Sequence, residues 1–315
     1  MTDLLVLTNE RDYSIDRVIR WLGENEPQTR IKRVNRESLA SIGDMSATLD
    51  QLKWQVREAP RVAWLRQFLP ERDPFGHSPT AGEIDDILVA RRQWLTWLHL
   101  FEHVRTRWFN DPARTYHAES KVRQLALAGR LGFDVPLTLL TTDRDRAVAF
   151  DAAHGPCVVK SAAAAFWEFS DQSFVFTMDA QQALAADPGS WQSQPVLVQQ
   201  RIEGTHDARL FVIGDSVVAA MRPRSALDWR TDSAGEWSRW YPDQRTTQLA
   251  VAFVREFGLD YGAFDFILGS REHGGPVFLE CNPSGEFGFL DDVLERMPSQ
   301  LIGRALAGLV SDVRR

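Results

Sequence analysis

Two apolar, aromatic-rich runs near the C-terminus carry the residues best suited to chemistry. One is Phe264–Asp265–Phe266; the other is Phe278–Leu279–Glu280–Cys281–Asn282–Pro283–Ser284–Gly285. Both read as buried strands. Residues two apart on a strand share a face, so Glu280 and Asn282 point the same way. A turn at His273–Gly274–Gly275–Pro276 folds Asp265 back beside them. Two carboxylates and an amide oxygen are hard donors that suit magnesium, which keeps waters and takes further ligands from substrate phosphates. The bland alternative is a solvated Asp265 and a Glu280 paired with an arginine. It ranks lower, because a carboxylate between two phenylalanines needs a partner.

Cations stand upstream. Lys160 ends the strand Cys157–Lys160 and is followed by Ser161 and four alanines. A cation at a strand end beside a small-residue loop can meet a phosphate while backbone N–H groups approach its oxygens. Taken alone, a lysine reaching solvent explains it better. Lys121 opens a helix, where its charge opposes the dipole, a weak sign of an anionic partner. Asp207 and Arg209 share a strand face and suit a ribose and a phosphate or carboxylate; a salt bridge between them is as good a reading.

The elements that position these groups follow from the rest of the chain. At 315 residues, with 44% hydrophobic and 25% charged residues, it is a soluble globular chain of two or three lobes. A net charge of −7 argues against nucleic-acid binding. The two cysteines, Cys157 and Cys281, both fall in strands, which suits buried thiols and a cytoplasmic location. Leu4–Leu5–Val6–Leu7 is too short for an export signal, and no apolar run approaches the ~20 residues that span a bilayer. Strands at 3–8, 30–34 and 61–65, with a helix from Ile15 to Leu22, predict an N-terminal α/β lobe with a parallel sheet. A Pro/Gly-rich loop at 70–82 and a long amphipathic helix from Ile84 to Val104 follow. A helix over 118–131 and strands at 135–139, 157–160 and 195–199 make a central part. A hairpin turning at Gly214–Asp215, a polar loop at 226–245, a helix over 246–257 and a terminal helix over 301–310 complete the chain. The expected parts are 1–112, 113–193 and 194–315, an α/β class with separate α+β lobes, the last lobe built on an antiparallel sheet.

Lys121, Lys160, the run Gln199–Gln200–Arg201–Ile202–Glu203–Gly204, Asp207, Asp265, Glu280 and Asn282 stand in that order along the chain. This order resembles the ATP-grasp superfamily, whose members bind ATP between two lobes; ordered matches are more specific than any single one. The resemblance implies that Lys121, Lys160 and Ser161 lie at the ATP phosphates and that Gln199, Gln200 and Ile202 line the adenine. It places Asp207 at the ribose, and Asp265, Glu280 and Asn282 on Mg2+. A narrower resemblance covers nearly the whole chain. The microviridin-type peptide ligases, or graspetide synthetases, make side-chain ester and amide rings in ribosomal peptides. Their runs are similar to Asp12–Ile19, Arg33–Val34–Asn35, Trp64–Leu65–Arg66–Gln67, Lys121–Leu125, Val135–Thr138, Asp228–Trp229–Arg230, Tyr241–Pro242, Tyr261–Asp265 and Asn282–Gly285. Three departures stand out: Gln67 replaces a second arginine, the phosphate loop is alanine-rich, and Glu286–Phe287 replaces the usual Gln-Trp.

The narrower resemblance implies an ATP-dependent ligase of a precursor peptide that carries a leader segment, with a homodimer as its assembly. ATP activates an Asp or Glu side chain as an acyl phosphate, and a Thr or Ser hydroxyl or a Lys amine displaces the phosphate. Arg209, Arg222 and Arg230 are the candidate catalytic residues, since an arginine fork holds both oxygens of a carboxylate. Glu286 is a candidate base, ranked below a merely solvated glutamate; His206 reads as a surface residue. Two alternatives stand beside this: a carboxylate–amine ligase acting on free amino acids or a protein terminus, and a nucleotide-binding module without chemistry.

Overall fold

The computed structural model describes residues 2–35, 47–50, 53–56, 59–66, 106–162, 166–169, 172–175, 177–185, 195–227 and 235–314, with a few isolated positions between 89 and 99. The expected loop at 70–82, most of the 84–104 helix, Gln67, Ala163–Ala165 and Asp228–Trp229–Arg230 lie outside the described residues.

Strand β1 (Leu4–Thr8) leads into helix α1 (Tyr13–Asn25), and β2 (Ile31–Asn35), β3 (Ala47–Asp50), β4 (Lys53–Val56), β5 (Val62–Leu65) and β6 (Arg107–Phe109) follow. β1, β2, β5 and β6 form the expected parallel sheet in the order β2-β1-β5-β6, while β3 and β4 make a separate hairpin. Helix α1 runs two residues past Gly23, an exposed position where glycine costs only about 1 kcal/mol. The helix expected over 118–131 forms over Lys121–Leu131, and an unexpected short helix precedes it. Asp111 caps α2 (Pro112–Ala118), with proline in its first turn where no N–H is needed. A break at Glu119–Ser120 precedes α3 (Lys121–Leu131), and Gly132 closes α3 at a left-handed φ of 101°.

Next come β7 (Thr138–Thr141), α4 (Arg144–His154), β8 (Cys157–Ser161), β9 (Phe166–Phe169), β10 (Gln172–Val175), β11 (Thr177–Asp179), α5 (Ala180–Leu184) and β12 (Val196–Gln200). β9 and β10 pair with each other; the others form an antiparallel sheet in the order β11-β8-β12-β7. The chain then builds β13 (His206–Ile213), β14 (Ser216–Pro223), β15 (Ser238–Trp240), α6 (Gln244–Phe257), β16 (Tyr261–Leu268), β17 (Val277–Asn282), α7 (Gly288–Asp291) and α8 (Met297–Arg314). Its sheet is antiparallel throughout, in the order β15-β14-β13-β16-β17. This mixture of a parallel sheet and antiparallel sheets is the expected α/β class with a last lobe built on an antiparallel sheet.

Alternation sorts the last sheet into two faces. Leu210, Val212, Phe264, Phe266, Phe278 and Cys281 join one buried cluster with Phe253 of α6 and Leu127 of α3. Phe211, Ile213, Tyr261 and Ala263 join another with α1, α8 and the parallel sheet. Asp207, Arg209 and Asp265 occupy alternate positions on that second face, so the charged groups sit at the end of a face that is otherwise core. No helix among the described residues is long and apolar enough to cross a membrane.

Candidate functional site

The register of β16 on β17 brings the metal candidates together. Asp265 stands directly opposite Glu280, and Asn282 opposite Ala263. The eight residues 269–276, which include the expected His273–Pro276 turn, join the two strands. A bulge falls between Asp265 and Phe266: Phe266 pairs with Phe278, so Leu279 has no partner. The extra residue re-aims the strand. Phe278 and Cys281 are buried, whereas Leu279, Glu280 and Asn282 are all at least partly exposed. An unbulged ladder would have put Phe278 and Glu280 on one face.

Each carboxylate is balanced by one cation. Arg209 lies opposite Asp265 on β13, and its Nη1 donates to both oxygens of Asp265 at 2.7 and 2.9 Å, with both side chains buried. Lys121 Nζ lies 3.2 Å from Glu280 Oε2. Of the two readings for Asp207 and Arg209, the bridge between them is replaced by other partners: Asp207 accepts from Arg224 Nη1 at 2.9 Å, and Arg209 is taken by Asp265. Arg222, buried, stands opposite Asp207 on β14 and beneath Trp237, its guanidinium carbon 5.9 Å from the ring centroid. Asn282 Oδ1 accepts from Ser284 N at 2.9 Å. Arg230 lies outside the described residues.

Lys121 is delivered by Gln124, one turn along α3. Gln124 is buried, donates to Cys281 O at 2.7 Å and accepts from Cys281 N at 2.9 Å, which pins the helix start to β17 beside Glu280. The signal in the sequence was a glutamine three positions after Lys121, on the face that otherwise carries Leu127 and Ala128. Arg224 was also missed; it sits just beyond the end of β14, where nothing in the pattern marks it. Asn110, at φ 57°, is a third. Its side chain bonds the backbone of Asp260, Tyr261 and Pro283 at 2.7–2.9 Å and so ties β6 to the loop after Asn282.

On the other sheet, Lys160 Nζ donates to Gln199 Oε1 at 2.9 Å, and Gln199 Nε2 donates to Thr138 Oγ1 at 3.0 Å. Ser161 ends β8 and is half-buried. Gln200 ends β12; its Nε2 donates to Glu272 Oε2 at 3.2 Å. Ile202 is buried against Ile267, Val277 and Leu279, so the run after β12 packs on the strands that carry Asp265 and Glu280.

Two thiols are held as thiols. Burial pushes Cys281 well above the ordinary range, against a smaller opposing pull from Arg209. Burial, with the nearby Asp151 carboxylate, pushes Cys157 up to about 11. Neither is prepared as a nucleophile.

Among the described residues no three His, Cys, Asp or Glu side chains gather as a metal cluster. The donor set is two opposed carboxylates and a nearby amide, which fits magnesium sharing its shell with phosphates and not a closed protein cage.

Residues 118–293, more than half of the chain, match the model of the RimK-like ATP-grasp domain. The chain belongs to this ATP-grasp family. Its curated relatives include a ribosomal protein bS6–L-glutamate ligase of Escherichia coli O7:K1, 28% identical over 198 residues, which are 59% of this chain and 63% of that protein. The chain thus spans less than two thirds of the length of the curated relatives it matches. Among solved structures, the ATP-grasp fold is shared over nearly the full length. The Chryseobacterium gregarium RiPP-associated ATP-grasp ligase, in complex with ADP and a leader and core peptide, superposes with a TM-score of 0.77 at 23% identity, covering 98% of this chain and 97% of that one. Macrocyclase MdnC of Microcystis aeruginosa MRC, bound with precursor peptide MdnA, gives 0.73 at 21% identity over 98% and 99%. ATP-grasp ligases use ATP with Mg2+, and ligase PsnB has been solved with a precursor variant, Mg and ADP (TM-score 0.72, 21% identity, 98% and 99% coverage).

Proposed function

We propose that this chain is an ATP-dependent ligase that joins Asp or Glu side chains of a ribosomal precursor peptide to Thr or Ser hydroxyls, or to Lys amines, as ω-esters or ω-amides. The observation that carries the reading is the ladder that sets Asp265 against Glu280 with one cation, Arg209 and Lys121, on each. Two carboxylates held this close, at a strand-to-strand spacing of about 5 Å, favour a divalent cation between them. The fold likeness over the whole chain to ligases solved with precursor peptides supports the peptide as substrate.

In this reading Asp265, Glu280 and Asn282 hold magnesium, which supplies charge neutralisation at the β- and γ-phosphates. Lys121, Lys160 and Ser161 face the phosphates, Gln199, Gln200 and Ile202 line the adenine, and Asp207 holds the ribose. Arg209, Arg222 and Arg230 orient the acceptor carboxylate. One carboxylate oxygen attacks the γ-phosphorus as its bond to the ADP oxygen breaks, giving an acyl phosphate. The hydroxyl oxygen or amine nitrogen then attacks the acyl carbon, phosphate leaves with the bonding pair, and the nucleophile's proton passes to solvent. The protein's share is position and electrostatics. The working parts are 1–112, 113–193 and 194–315, with the nucleotide between the last two; a leader segment and a second copy of the chain are the partners.

The test is to mix the purified chain with ATP, Mg2+ and the short peptides encoded beside it. ADP and phosphate release that needs the peptide, with loss of one water from its mass per bond formed, is the expected result. A second reading, a carboxylate–amine ligase on amino acids or a protein terminus, is favoured by the identity to the bS6–L-glutamate ligase. ADP release with free glutamate and a protein acceptor, and none with any peptide, would establish it and overturn the first.

A further inference from the structure

Glu286 follows Gly285 directly and is the position at which this chain carries a carboxylate. A base would need that carboxylate to be free to turn toward a substrate proton, and its surroundings are arranged otherwise. Oε1 accepts from Ser14 Oγ of α1, from Phe287 N at 3.1 Å and from Gly288 N at 3.0 Å. Oε2 accepts from Arg66 Nη2 at 3.1 Å. A carboxylate that swung away would strand two backbone N–H groups and two side-chain donors, one of them a buried guanidinium.

Arg66 is itself fixed. Its side chain is wholly buried, its Nε and Nη2 donate to Asp12 at 2.7 and 3.2 Å, and its guanidinium carbon lies 5.1 Å from the Trp64 ring centroid and 5.0 Å from that of Phe287. Asp12 in turn caps α1. The far side of the loop is equally constrained. Asn110 holds Pro283 O, and Tyr261 Oη donates to Gly285 O at 2.7 Å. A Cβ on Gly285 would meet Ala263 Cβ at 2.5 Å and Arg209 Nη2 at 2.7 Å, so the backbone there lies directly on the Arg209 guanidinium. Glu286 O stands 3.5 Å from the same Nη2.

Asp12, Arg66 and the Glu286 carboxylate alternate in charge, and the Glu286 backbone carbonyl carries the route on to the Arg209–Asp265 pair. The alternation breaks only at the next step, where Asp265 faces Glu280 and two negative groups adjoin at the candidate magnesium position.

We propose that Glu286 is a positioning residue: bound by Arg66 and Ser14, it seats the 283–288 loop on Arg209 and so fixes the Arg209–Asp265 pair for divalent-cation binding; it does not take a proton. This rests on the ATP–magnesium reading of the site. The experiment measures ADP affinity by calorimetry, with and without Mg2+, in the wild-type chain, Glu286→Gln and Glu286→Ala. The alanine variant is expected to lose about tenfold of the Mg2+-dependent gain in affinity, the size expected for lost hydrogen bonds to a charged group, with metal-free affinity unchanged. The glutamine variant keeps an oxygen for Ser14 and the two N–H groups and is expected to stay within about threefold of wild type. Its peptide-dependent turnover is expected to follow the same order. Glutamine as impaired in turnover as alanine, with its Mg2+-dependent ADP affinity intact, would identify Glu286 as a proton acceptor and overturn the proposal. An alanine variant with an unchanged Mg2+ effect would also overturn it while leaving the ligase reading intact. A wild-type chain with no Mg2+-dependent ADP binding would sink both. Should Glu286→Ala fail to fold, Ser14→Ala removes one donor only, and an unchanged Mg2+ effect there counts against the proposal.

Discussion

The sheet β15-β14-β13-β16-β17 and the sheet β11-β8-β12-β7 hold the two halves of the candidate nucleotide site, and they are built to different depths. The first is packed on both faces, with Phe211, Phe253, Phe264, Phe266 and Phe278 almost without exposure. Its rings meet edge-on and tilted, Phe253 to Phe264 at 5.2 Å and Phe253 to Phe278 at 5.4 Å. Among the described residues the second has a buried cluster of Ala147, Cys157, Ala180, Ala183, Leu184 and Val198, three of them alanine, and leaves Leu140 and Met178 about half exposed. Charge follows the same division. Asp265 and Arg209 form a buried pair, whereas Lys160 Nζ donates to the neutral Gln199 Oε1. In the proposed function, a rigid sheet for the metal and a shallower one for the nucleotide is the division expected where one side must yield for substrate to enter.

The largest effect that tests this contrast is chemical. Asp265→Asn leaves Arg209 facing a neutral amide and removes a carboxylate oxygen from the proposed magnesium site. Turnover should fall by about 10³-fold, the scale of losing a preorganised electrostatic group, and stability by about 3 kcal/mol because a buried cation loses its counter-ion. Lys160→Ala should raise the KM for ATP about tenfold, as the loss of one charged hydrogen bond does, with the melting temperature nearly unchanged. Equal effects of the two on stability would erase the difference between the sheets. The next test is packing. Phe264→Ala should cost about 3–5 kcal/mol and Val198→Ala about 1–2 kcal/mol in denaturant unfolding; a reversal would place the main core in the wrong sheet.

How much of this was legible in the sequence also divides along the two sheets. The strands that carry Asp265 and Glu280 are legible because Phe, Leu and Val runs with single acids at fixed offsets have few alternatives, and the Gly214–Asp215 hairpin sets the register of β13 on β14. The parallel sheet was legible for the same reason: Leu4–Leu7 and Val62–Leu65 are short, wholly apolar strands. The pairings were not. Which carboxylate takes Arg209 depends on cross-strand register, and neither the 265–266 bulge nor the turn length can be read from residue types. In the second sheet, α4 is missed because Arg144–His154 buries little beyond Ala147 and shows weak periodicity, and α5 is too short to show any. The Arg66–Glu286 contact joins residues 220 apart in the chain and has no local signature.

A smaller effect comes from Asp12. Burial alone would raise its carboxyl, but the charge and hydrogen bonds of Arg66, with those of Thr8 and the Ile15 N–H, outweigh that and hold it below the ordinary 3.8. A depressed folded value contributes stability that is present above the unfolded value and lost as pH falls through the folded one. Stability should therefore decline as pH drops below about 4, and Asp12→Asn should flatten that part of the profile. A decline that is unchanged in the variant would assign the acid sensitivity to other carboxylates.

The smallest expected effect is the most direct comparison, because each sheet carries one cysteine. Cys157 and Cys281 are almost equally buried, at 1% and 2% exposure, and both thiols are pushed upward. At pH 8 neither is appreciably thiolate in the closed state, so alkylation has to wait for opening, and its rate reports the local opening free energy. Cys281 lies between Phe264 and the Gln124 clamp, and exposing it requires parting β16 from β17 and α3 together. Cys157 opens β8, where the described buried cluster beside it is Ala147, Ala180, Ala183, Leu184 and Val198, without a fully buried aromatic ring. Iodoacetamide followed by peptide mass mapping should find Cys157 modified first, by about tenfold, the factor that 1.4 kcal/mol of opening free energy makes. Added ATP with Mg2+ should slow Cys157 toward the rate of Cys281 if, as proposed, the nucleotide binds between the sheets and so stabilises the weaker one more. Equal rates without nucleotide, or Cys281 first, would show that the two sheets open as one unit and that the difference in core depth has no energetic consequence.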